Sequence, residues 1–494
     1  MEGQIARGYD VSSCSYLLGS FYLKGGGGVA ADPAKARVYL DQAIATGYTY
    51  ATVVLGRALL HGEGLPADAK AGLALLQKSI DSKTDVASAA FEIGTFYLTG
   101  GSGRKADPKK ARAYLGQAMA AGYDYAGVIL GRALLLGDGL PADRPAGLKM
   151  LEQEAAAGNS QGSAAFELGA YYLHGEHADA VKARTYLDQA VAAGHPFAPI
   201  LLGRALLRGD GLPRDVLAGV QILQLPAVSS GPYANDAALD LANLFQIGLG
   251  DIAPDLKKAR FYFHVAADRG APEALASLAD LELTASDGTE RGSTAIDLYR
   301  RAVAAGAADA VVPLAHVYLE GQGGVPLDIP AGLKILDDAA DAGNASALAE
   351  LISLNLHGLG TAVPADLKQA RHYLDEYKKV ADPDDLSLQT LLVAAAGSSA
   401  PDTLHRLPDL LLELPKYLRP LGARELVDLN ARAAVYVVQS ILSSSGLYSG
   451  ILDGLLGPMT SAAVKRACDQ GKLGSCGAQP ADVQTVGFIV ANFT

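Results

Sequence analysis

The stretch LLGSFYLKGGGGVAADPAKARVYLDQAIATGYTYA, residues 17–51, decides the fold of this chain. Leu18 and Tyr22 lie four residues apart, which places both side chains on one face of a helix. A glycine-rich turn follows, in which glycine accepts positive φ angles and Asp32 is placed to cap a second helix. In that helix, Leu40 belongs to an apolar row with helical spacing. The stretch therefore predicts two helices joined by a tight turn.

Copies of this stretch return along the chain at a regular interval. The segment DPAKARVYLDQAIATGYTYA at residues 32–51 returns as DPKKARAYLGQAMAAGYDYA at 107–126 and as DAVKARTYLDQAVAAGHPFA at 179–198. Two further copies begin at Asp255 and Asp366. Self-similarity of this kind is the sequence signature of a repeat architecture.

A second motif lies between these copies and halves the interval. The motif LGRALL carries its glycine at Gly56, Gly131 and Gly203, which are 75 and 72 residues apart. The long interval therefore consists of two units of about 36 residues, and about ten units cover residues 12–380. One helical hairpin cannot bury its apolar face alone, whereas stacked hairpins bury a continuous core.

The order L-G-x-x-Y-x-x-G, then G-V/L-x-x-D, K-A-x-x-Y and A-x-x-G resembles the Sel-like repeat family, a relative of the tetratricopeptide repeats. The resemblance covers about three quarters of the chain. It implies an all-α fold, a right-handed α-solenoid of about ten helix-turn-helix repeats, with a role in binding or scaffolding. Residues 221–236 depart from the pattern, so we expect local irregularity there.

The C-terminal part of the chain differs from the repeats. Residues 381–430 contain proline-punctuated segments, which predict short helices that form a cap or linker. The stretch VQSILSSSGLYSGILDGLLGPMTSAAVKRACD, residues 438–469, resembles the small three-helix peptidoglycan-binding domain of bacterial envelope proteins. We therefore predict a small helical domain at 431–494. The resemblance implies a glycan-binding role for five residues: Gly446, Tyr448, Asp453, Gly454 and Thr460.

Two cysteines of this last domain are candidates for a disulfide. Cys468 and Cys476 are eight residues apart, and a bridge would join the end of a helix to the following loop. Such a bridge requires an oxidising compartment. We predict the bridge because the small domain has little core of its own; the alternative is two unrelated thiols in a reducing cytosol.

Aromatic side chains recur at the junction that follows every second unit. The junctions read GYTYA, GYDYA and GHPFA, whereas the alternate junction near Gly158 reads GNSQG. A stripe of rings with apolar bodies and polar tips suits contacts with a peptide or a sugar. The alternative is packing between repeats. The candidate partner-binding residues are Tyr48, Tyr50, Tyr123, Tyr125, His195 and Phe197.

Composition and missing motifs argue against several classes of function. With 41 Lys+Arg against 53 Asp+Glu the formal charge is −12, which argues against nucleic-acid binding and predicts basic partner segments. We find no GxSxG, P-loop, HExxH or CxxC motif, and predict no enzyme, no catalytic residue, no metal site and no cofactor. No run approaches about 18 apolar residues, so we predict no transmembrane segment.

Three functional hypotheses follow. The first is a non-enzymatic scaffold of the bacterial cell envelope, similar in layout to periplasmic parts of polar-organising proteins. Its repeats would bind a protein partner and its C-terminal domain would tether it to peptidoglycan. The second is a scaffold of exopolysaccharide synthesis or export, resembling the alginate-export repeat proteins. The third and least favoured is a cell-wall-active hydrolase, an activity assigned to some repeat proteins of this family.

The first hypothesis places the protein in the bacterial periplasm. The N-terminal residues MEGQIARGYDVSSCSYLL show no basic region followed by an apolar core. A signal or membrane anchor would therefore lie outside this sequence, and a cytoplasmic location is the alternative.

Overall fold

Aspartate side chains begin the second helix of successive repeats. Asp32 accepts a hydrogen bond from the backbone N–H of Lys35 at 3.0 Å, and Asp107 accepts one from the N–H of Lys110 at 3.1 Å. Glycines with positive φ end the first helices, as Gly137 does at 78°. Both signals match the two-helix reading of the repeat, because a capping carboxylate satisfies exposed N–H groups and glycine adopts the left-handed conformation without strain.

The computed structural model describes residues 10–26, 29–100, 105–158, 160–284, 291–360, 362–471 and 482–493. Within these ranges the chain forms helices and no β-strand, which confirms the predicted all-α fold. None of the helices described is both long and apolar enough to cross a membrane. The chain divides into two compact units, one up to Asp255 and the other from Leu256 onward.

The first unit consists of six helical hairpins and one further helix, counted over its described residues. The two helices of each hairpin pack against each other, and each hairpin packs against the next. In chain order the helices are α1 (Val11–Lys24), α2 (Pro33–Ala45), α3 (Tyr50–His61), α4 (Ala69–Asp81), α5 (Val86–Thr99), α6 (Pro108–Ala120), α7 (Ala126–Leu136), α8 (Arg144–Ala157), α9 (Ser163–Leu173), α10 (Ala180–Ala192), α11 (Ala198–Arg208), α12 (Val216–Val228) and α13 (Ala234–Ile247).

The second unit begins with the last repeats and ends with shorter helices. Its repeat helices are α14 (Leu256–Ala267), α15 (Pro272–Thr284), α16 (Arg291–Ala304), α17 (Val311–Glu320), α18 (Ile329–Asp341), α19 (Ala345–His357) and α20 (Leu367–Tyr377). The C-terminal helices are α21 (Pro383–Ala396), α22 (Pro401–Leu404), α23 (Leu407–Glu413), α24 (Arg419–Leu429), α25 (Ala431–Ser444), α26 (Pro458–Gln470) and α27 (Val483–Phe493).

A glycine of the first helix lies directly against a leucine of the second helix in all six hairpins of the first unit. A Cβ atom built on Gly94 would lie 2.8 Å from Cγ of Leu115 and 2.9 Å from its backbone nitrogen. No side chain fits there without moving the neighbouring helix. The other pairs are Gly19–Leu40, Gly56–Leu76, Gly131–Leu151, Gly169–Leu187 and Gly203–Leu223.

Neighbouring hairpins of the first unit share their apolar interiors. Val53 and Leu60 of α3 belong to the same buried cluster as Ala89 and Ile93 of α5. The turn inside the second hairpin also closes on the first, because Gly64 lies against the backbone carbonyl of Leu23. Burial that continues from hairpin to hairpin is the source of stability in a repeat fold.

The irregular segment at 221–236 is confined to a short connection. Helix α12 continues to Val228 with Pro226 inside its last turn, and α13 begins at Ala234. A proline removes one backbone donor and its ring clashes with the preceding turn, so Pro226 weakens the last turn of the helix. The connection, residues 229–233, has five residues, as does the connection 193–197 between α10 and α11, so the departure from the sequence pattern changes neither the length of the connection nor the order of helices.

The C-terminal helices share one buried cluster with the last hairpin. The cluster includes Leu348 and Ile352 of α19, Leu411 of α23, Val437 of α25 and Val490 of α27. The predicted boundaries at residues 380 and 430 stay predictions. Because the C-terminal helices bury their side chains together with the last hairpin, experiments on them call for the full chain.

Substitution of Gly94 by alanine tests the glycine–leucine contact. We expect Gly94→Ala to lower the free energy of unfolding by about 1–3 kcal/mol, because overpacking a close helix contact forces backbone shifts. Gly116 in helix α6 of the same hairpin has open space at the Cβ position, so Gly116→Ala is the matched control. The control should stabilise the chain by about 0.4–1 kcal/mol. Urea unfolding followed by circular dichroism measures both, and a Gly94→Ala variant as stable as the parent would contradict the proposed contact.

Candidate functional site

Three aromatic clusters recur in the first unit, and the first forms between helices α1 and α3. The Tyr16 ring of α1 stacks on Tyr48 with centroids 4.5 Å apart, and Tyr50 approaches its edge at 6.1 Å. Stacked and edge-to-face pairs each contribute about 0.5–1.5 kcal/mol beyond their buried area. The cluster therefore joins the first hairpin to the second. The ring of Tyr50 nevertheless stays 38% exposed.

The second cluster has the same arrangement one long interval further along the chain. Phe91 of α5 stacks on Tyr123 at 4.3 Å and lies 6.4 Å from Tyr125. Tyr125 is 37% exposed, so this cluster also keeps one ring accessible to a partner. Burial raises the pKa of both tyrosines. Both hydroxyls therefore remain protonated donors at neutral pH.

The third cluster replaces the tyrosines by histidine and phenylalanine. Phe166 of α9 stacks on His195 at 4.3 Å and contacts the edge of Phe197 at 5.9 Å. Phe197 also lies 4.7 Å from Tyr233. Burial lowers the pKa of His195, which favours the neutral imidazole.

The six predicted partner-binding residues are thus distributed over three separate clusters. The sequence reasoning did not include the central ring of each cluster, Tyr16, Phe91 and Phe166. These three are 75 residues apart in each step, the interval of the long repeat, and that spacing was available in the sequence. The clusters combine packing between hairpins with exposed ring edges, and the partner-binding role stays a prediction.

Arginine–carboxylate pairs lie beside the aromatic clusters. Arg132 of α7 lies 3.6 Å from Glu167 of α9, and Arg204 of α11 donates through Nε to Asp240 of α13 at 2.5 Å. Arg204 also donates to Asp236 at 3.1 Å. Each arginine comes from the LGRALL motif and reaches the first helix of the next hairpin. The motif therefore supplies a charged contact between repeats as well as a tight helix face.

Arg57, the arginine of the first LGRALL motif, lies near a carboxylate with an unusual pKa, that of Glu92. Glu92 of α5 lies 3.9 Å from Arg57, and its side chain is only 14% exposed. Burial raises the pKa of Glu92 to about 7, and the Arg57 guanidinium opposes this shift only in part. Arg57 is shared with the exposed Glu63, whose Oε2 lies 3.2 Å from its Nε. Glu92 therefore changes its charge close to neutral pH, next to the aromatic clusters.

A histidine has the corresponding role in the second unit. His316 of α17 contacts Glu320 through Nδ1 at 2.7 Å and Glu350 of α19 through Nε2 at 2.9 Å. The hydrogen bond with Glu350, followed by that with Glu320, raises the pKa of His316 to about 9 against the opposing effect of burial. The imidazolium donates to both carboxylates at neutral pH and links neighbouring repeats.

A buried glutamine amide organises the predicted glycan-binding residues near the C-terminus. Oε1 of Gln439 accepts hydrogen bonds from the backbone N–H groups of Asp453 at 3.1 Å and Gly454 at 2.8 Å. Its Nε2 lies 3.2 Å from the Tyr448 hydroxyl and 3.0 Å from Oγ1 of Thr460. Four of the five predicted residues therefore surround a side chain that is fully buried.

The remaining groups of this region complete the same turn. Gly446 follows α25 with φ of 73°, a conformation that ends a helix. The Tyr448 hydroxyl donates to the carbonyl oxygen of Ile451 at 2.8 Å. The hydrogen bond from Gln439, followed by that from the Leu455 N–H, holds the pKa of Asp453 below its usual range. The predicted glycan-binding role of these residues stays a prediction.

The turn around Gln439 also exposes several apolar side chains. Four side chains between α25 and the start of α26 point outward, with exposed fractions of 80% for Ile451, 55% for Leu455, 46% for Leu456 and 56% for Met459. An apolar group of this kind on a structured turn is typical of an interaction site. This group could not be predicted from the sequence, because apolar residues next to glycines are equally consistent with a buried core.

The structure describes one of the two cysteines that were predicted to form a disulfide. Cys468 is buried near the end of α26, with 2% exposure. Cys476 lies outside the described residues, so the pairing of the two cysteines stays a prediction. Over the described parts of the chain, no three His, Cys, Asp or Glu side chains lie close enough together to hold a metal ion.

Comparison with known families identifies the repeat. The family described as "Sel1 repeat" matches nine segments of the chain: residues 12–48, 49–83, 87–123, 128–159, 162–195, 198–225, 235–270, 309–344 and 346–376. These segments cover more than half of the chain and coincide with helix pairs of the structure. Sel1 repeats typically mediate protein–protein interaction.

Two curated relatives match a shorter part of the chain. The Sel1-repeat-containing protein YjcO of Escherichia coli (strain K12) and YjcO of Shigella flexneri are each 31% identical over 121 residues. This match covers 24% of the present chain and 52% of each relative. The chain therefore spans about half the length of the curated relatives it matches.

Solved structures with similar folds include a Sel1 repeat protein from Oxalobacter formigenes. That protein is 25% identical, with a TM-score of 0.41, over 68% of this chain and 93% of its own. The protective antigen c5321 of uropathogenic Escherichia coli, which displays an SLR fold, is 21% identical over 90% of this chain and 96% of its own, with a TM-score of 0.33. The immunity protein Pa5087 of Pseudomonas aeruginosa is 17% identical over 52% and 82%, with a TM-score of 0.29.

The titration of Glu92 gives a test of the charged contact between hairpins. Below about pH 4.5 the carboxyl is protonated in both the folded and the unfolded chain; between about pH 4.5 and 7 only the unfolded chain ionises. Stability relative to Glu92→Gln should therefore fall by up to about 3 kcal/mol as pH rises through this window. Urea unfolding of both proteins at about pH 5 and about pH 8 measures the difference. An unchanged difference would contradict a buried, protonated Glu92.

Removal of the Gln439 amide tests its role in the turn. We expect Gln439→Leu to lower the free energy of unfolding by about 2–5 kcal/mol, because the buried N–H groups of Asp453 and Gly454 lose their acceptor. Gln470→Leu, at the exposed end of α26, is the control and should change stability by less than about 0.5 kcal/mol. Thermal unfolding of the full chain measures both variants. Equal effects of the two substitutions would show that the amide does not hold the turn.

Proposed function

This chain belongs to the Sel1-repeat family, and from that premise we propose that it is a non-enzymatic scaffold of the bacterial cell envelope. The repeats bind a protein partner, and the C-terminal segment 431–494 tethers the protein to peptidoglycan. The proposal places the chain in the periplasm. It divides the chain into a repeat solenoid at 12–380, a helical cap at 381–430 and the tethering segment.

The surface of the first unit supports a role in binding a partner. Its aromatic clusters keep ring edges of Tyr50 and Tyr125 exposed beside the arginines of the LGRALL motif. Tyrosine and arginine side chains on a rigid frame are the residues enriched at the centres of protein interfaces. The frame itself is rigid because each hairpin is fixed by its glycine–leucine contact. A preformed surface binds with little loss of conformational entropy.

The turn around Gln439 is the structural observation on which the proposed tether rests. The buried amide fixes a turn on which Ile451 and Leu456 point into solvent. Exposed apolar side chains on a preorganised turn favour association with the lactyl and alanine methyl groups of a wall peptide. The residue order of 438–469 resembles the peptidoglycan-binding domain, which supports the same ligand. A Cys468–Cys476 bridge would suit the oxidising periplasm.

A sedimentation experiment with purified sacculi tests the tether. The full chain should pellet with sacculi, and the double variant Ile451→Ser/Leu456→Ser should lose about tenfold in retention, because each apolar contact contributes about 1 kcal/mol or more. The matched control is Ile247→Ser/Leu225→Ser, which removes exposed apolar side chains of the first unit. We expect its retention to equal that of the parent chain.

The outcomes separate the alternatives. A parent chain that stays in the supernatant, or two double variants with equal retention, would contradict the tether. Release of soluble fragments from the sacculi would support the wall hydrolase. Retention on an exopolysaccharide gel without retention on sacculi would support the export scaffold, in which the C-terminal segment serves as an adaptor.

A further inference from the structure

Three clefts in the first unit occupy equivalent positions of the repeat, away from the aromatic clusters. One side of each cleft is formed by the first turns of the second helix of the first, third or fifth hairpin. The other side belongs to the next hairpin and consists of its Leu-Pro turn and the start of its second helix. Their volumes are about 790, 550 and 770 Å³. We name them by the arginine that each contains: the Arg37 cleft (33–34, 37, 59, 65–70), the Arg112 cleft (112, 141–145) and the Arg184 cleft (180–181, 184–185, 206, 212–217, 250–252).

Each cleft contains two cationic side chains. The named arginines are 75 and 72 residues apart and occupy the same slot of the repeat. A second cation comes from the facing turn or helix start: Lys70, Arg144 and Arg214, respectively. Leucine and proline side chains form an apolar wall that lines the clefts together with these cations. Its members are Leu65 and Pro66 in the first cleft and Leu212 and Pro213 in the third, and Pro141 of the second occupies the same slot.

The carboxylate common to all three clefts is already engaged. It belongs to the aspartate that caps the second helix: Oδ1 of Asp68, Asp143 and Asp215 accepts a backbone N–H at 2.9, 3.2 and 3.0 Å. The Arg184 cleft also contains Asp251. The residues that line each of the first two clefts include two cations and one carboxylate, and Arg37 of the first cleft is also paired with Asp41.

The arginines differ from the neighbouring lysines of the same helices. Lys35, Lys110 and Lys182 each lie over a tyrosine ring of their own hairpin, at 5.0, 4.7 and 4.8 Å from its centroid. These ammonium groups stabilise the hairpin through cation–π contacts. The arginine two residues further along in each helix lines a cleft instead.

The three arginines that name the clefts differ in whether they form an ion pair with a carboxylate. Arg37 and Arg184 each donate through Nε to an aspartate four residues later, Asp41 and Asp188, at 2.7 Å. The same slot after Arg112 is Gly116. Over the described part of the chain no carboxylate pairs with Arg112, so its guanidinium lines the cleft without a carboxylate partner.

We propose that these three clefts bind an acidic segment of a protein partner, which places a carboxylate and a neighbouring aliphatic side chain in successive clefts. Arginine recognises carboxylates through paired N–H donors. The apolar walls, with proline in all three clefts and leucine in the first and third, favour aliphatic groups over sugar hydroxyls. The Arg184 cleft adds the exposed apolar side chains of Val181 and Leu217. The inference names the partner class of the proposed scaffold and rests on that function.

Occupation of several clefts by one segment raises affinity without any single strong contact. Once one carboxylate is bound, the next cleft is filled at a high effective concentration. The inference differs from the expectation drawn from net charge, which was a basic partner. Net charge describes the long-range field, whereas a cleft is governed by the charges within a Debye length of about 10 Å.

Binding of synthetic peptides to the full chain tests this inference. The probe is a fluorescent peptide of glutamate, leucine and serine, and anisotropy measures its dissociation constant. We expect it to bind at least about tenfold more tightly than analogues with glutamine or lysine for glutamate, or serine for leucine. Raising the salt concentration from about 50 to about 300 mM should weaken it further.

Substitution of Arg112 locates the binding. Arg112→Glu breaks no ion pair of the described chain and should weaken the glutamate–leucine peptide by about three- to tenfold. Lys149→Glu makes the same change in net charge on the exposed surface of α8, outside the cleft, and should have less than a twofold effect. The triple variant Arg37→Glu/Arg112→Glu/Arg184→Glu should abolish binding while circular dichroism stays unchanged.

Several results would overturn the inference: no binding of the acidic peptide, equal effects of Arg112→Glu and Lys149→Glu, or equally tight binding of the lysine peptide. Binding of polyuronate in preference to the peptide would also overturn it. Sedimentation of Arg112→Glu with sacculi separates this inference from the tether. Normal sedimentation of Arg112→Glu with weakened peptide binding supports the clefts, whereas a parent chain that binds the acidic peptide but does not sediment with sacculi counts against the tether alone.

Discussion

The contact between a glycine of the first helix and a leucine of the second is the constraint on which the first unit depends. Because the glycine has no side chain, the facing leucine buries completely, as Leu40, Leu76 and Leu115 do. In the second unit Gly332 of α18 faces Leu319 of α17, so the same contact occurs with the two helices exchanged. A fixed separation within each hairpin gives every repeat the same shape, and identical shapes stack in the same register.

That register explains why residues about 36 positions apart meet along the first unit. The arginine of each LGRALL motif forms an ion pair with a carboxylate 35 or 36 residues later, as Arg132 does with Glu167 and Arg204 does with Asp240. The aromatic clusters recur at twice this interval, because only alternate junctions carry the two rings. The hairpins themselves are nearly alike and repeat about every 36 residues. The longer interval in the sequence is therefore the interval at which the aromatic clusters recur.

The sequence predicted the frame better than the sites, and the reason is physical. Capping by Asp32 depends only on residues that follow one another in the chain, and it was predicted. The stacking of Tyr16 on Tyr48 joins two helices through space, and the spacing of Tyr16 in the sequence does not say which ring it contacts. A buried glutamine such as Gln439 cannot be distinguished from an exposed one in the sequence. The residues around it were therefore assigned to a ligand, although their hydrogen bonds are made within the turn.

The charges of the first unit show why a net charge describes a repeat protein poorly. Many carboxylates are held by helix N-termini or by arginines of the next hairpin, as those of Asp68 and Asp240 are. Their charge is balanced within a few ångströms, whereas Arg112 has no such partner over the described residues. An acidic chain therefore presents cationic clefts, because folding pairs its negative groups and leaves selected positive groups at the surface. Repetition then multiplies this local imbalance at a fixed interval, and a partner with matching acidic groups is selected by the interval as much as by the charge.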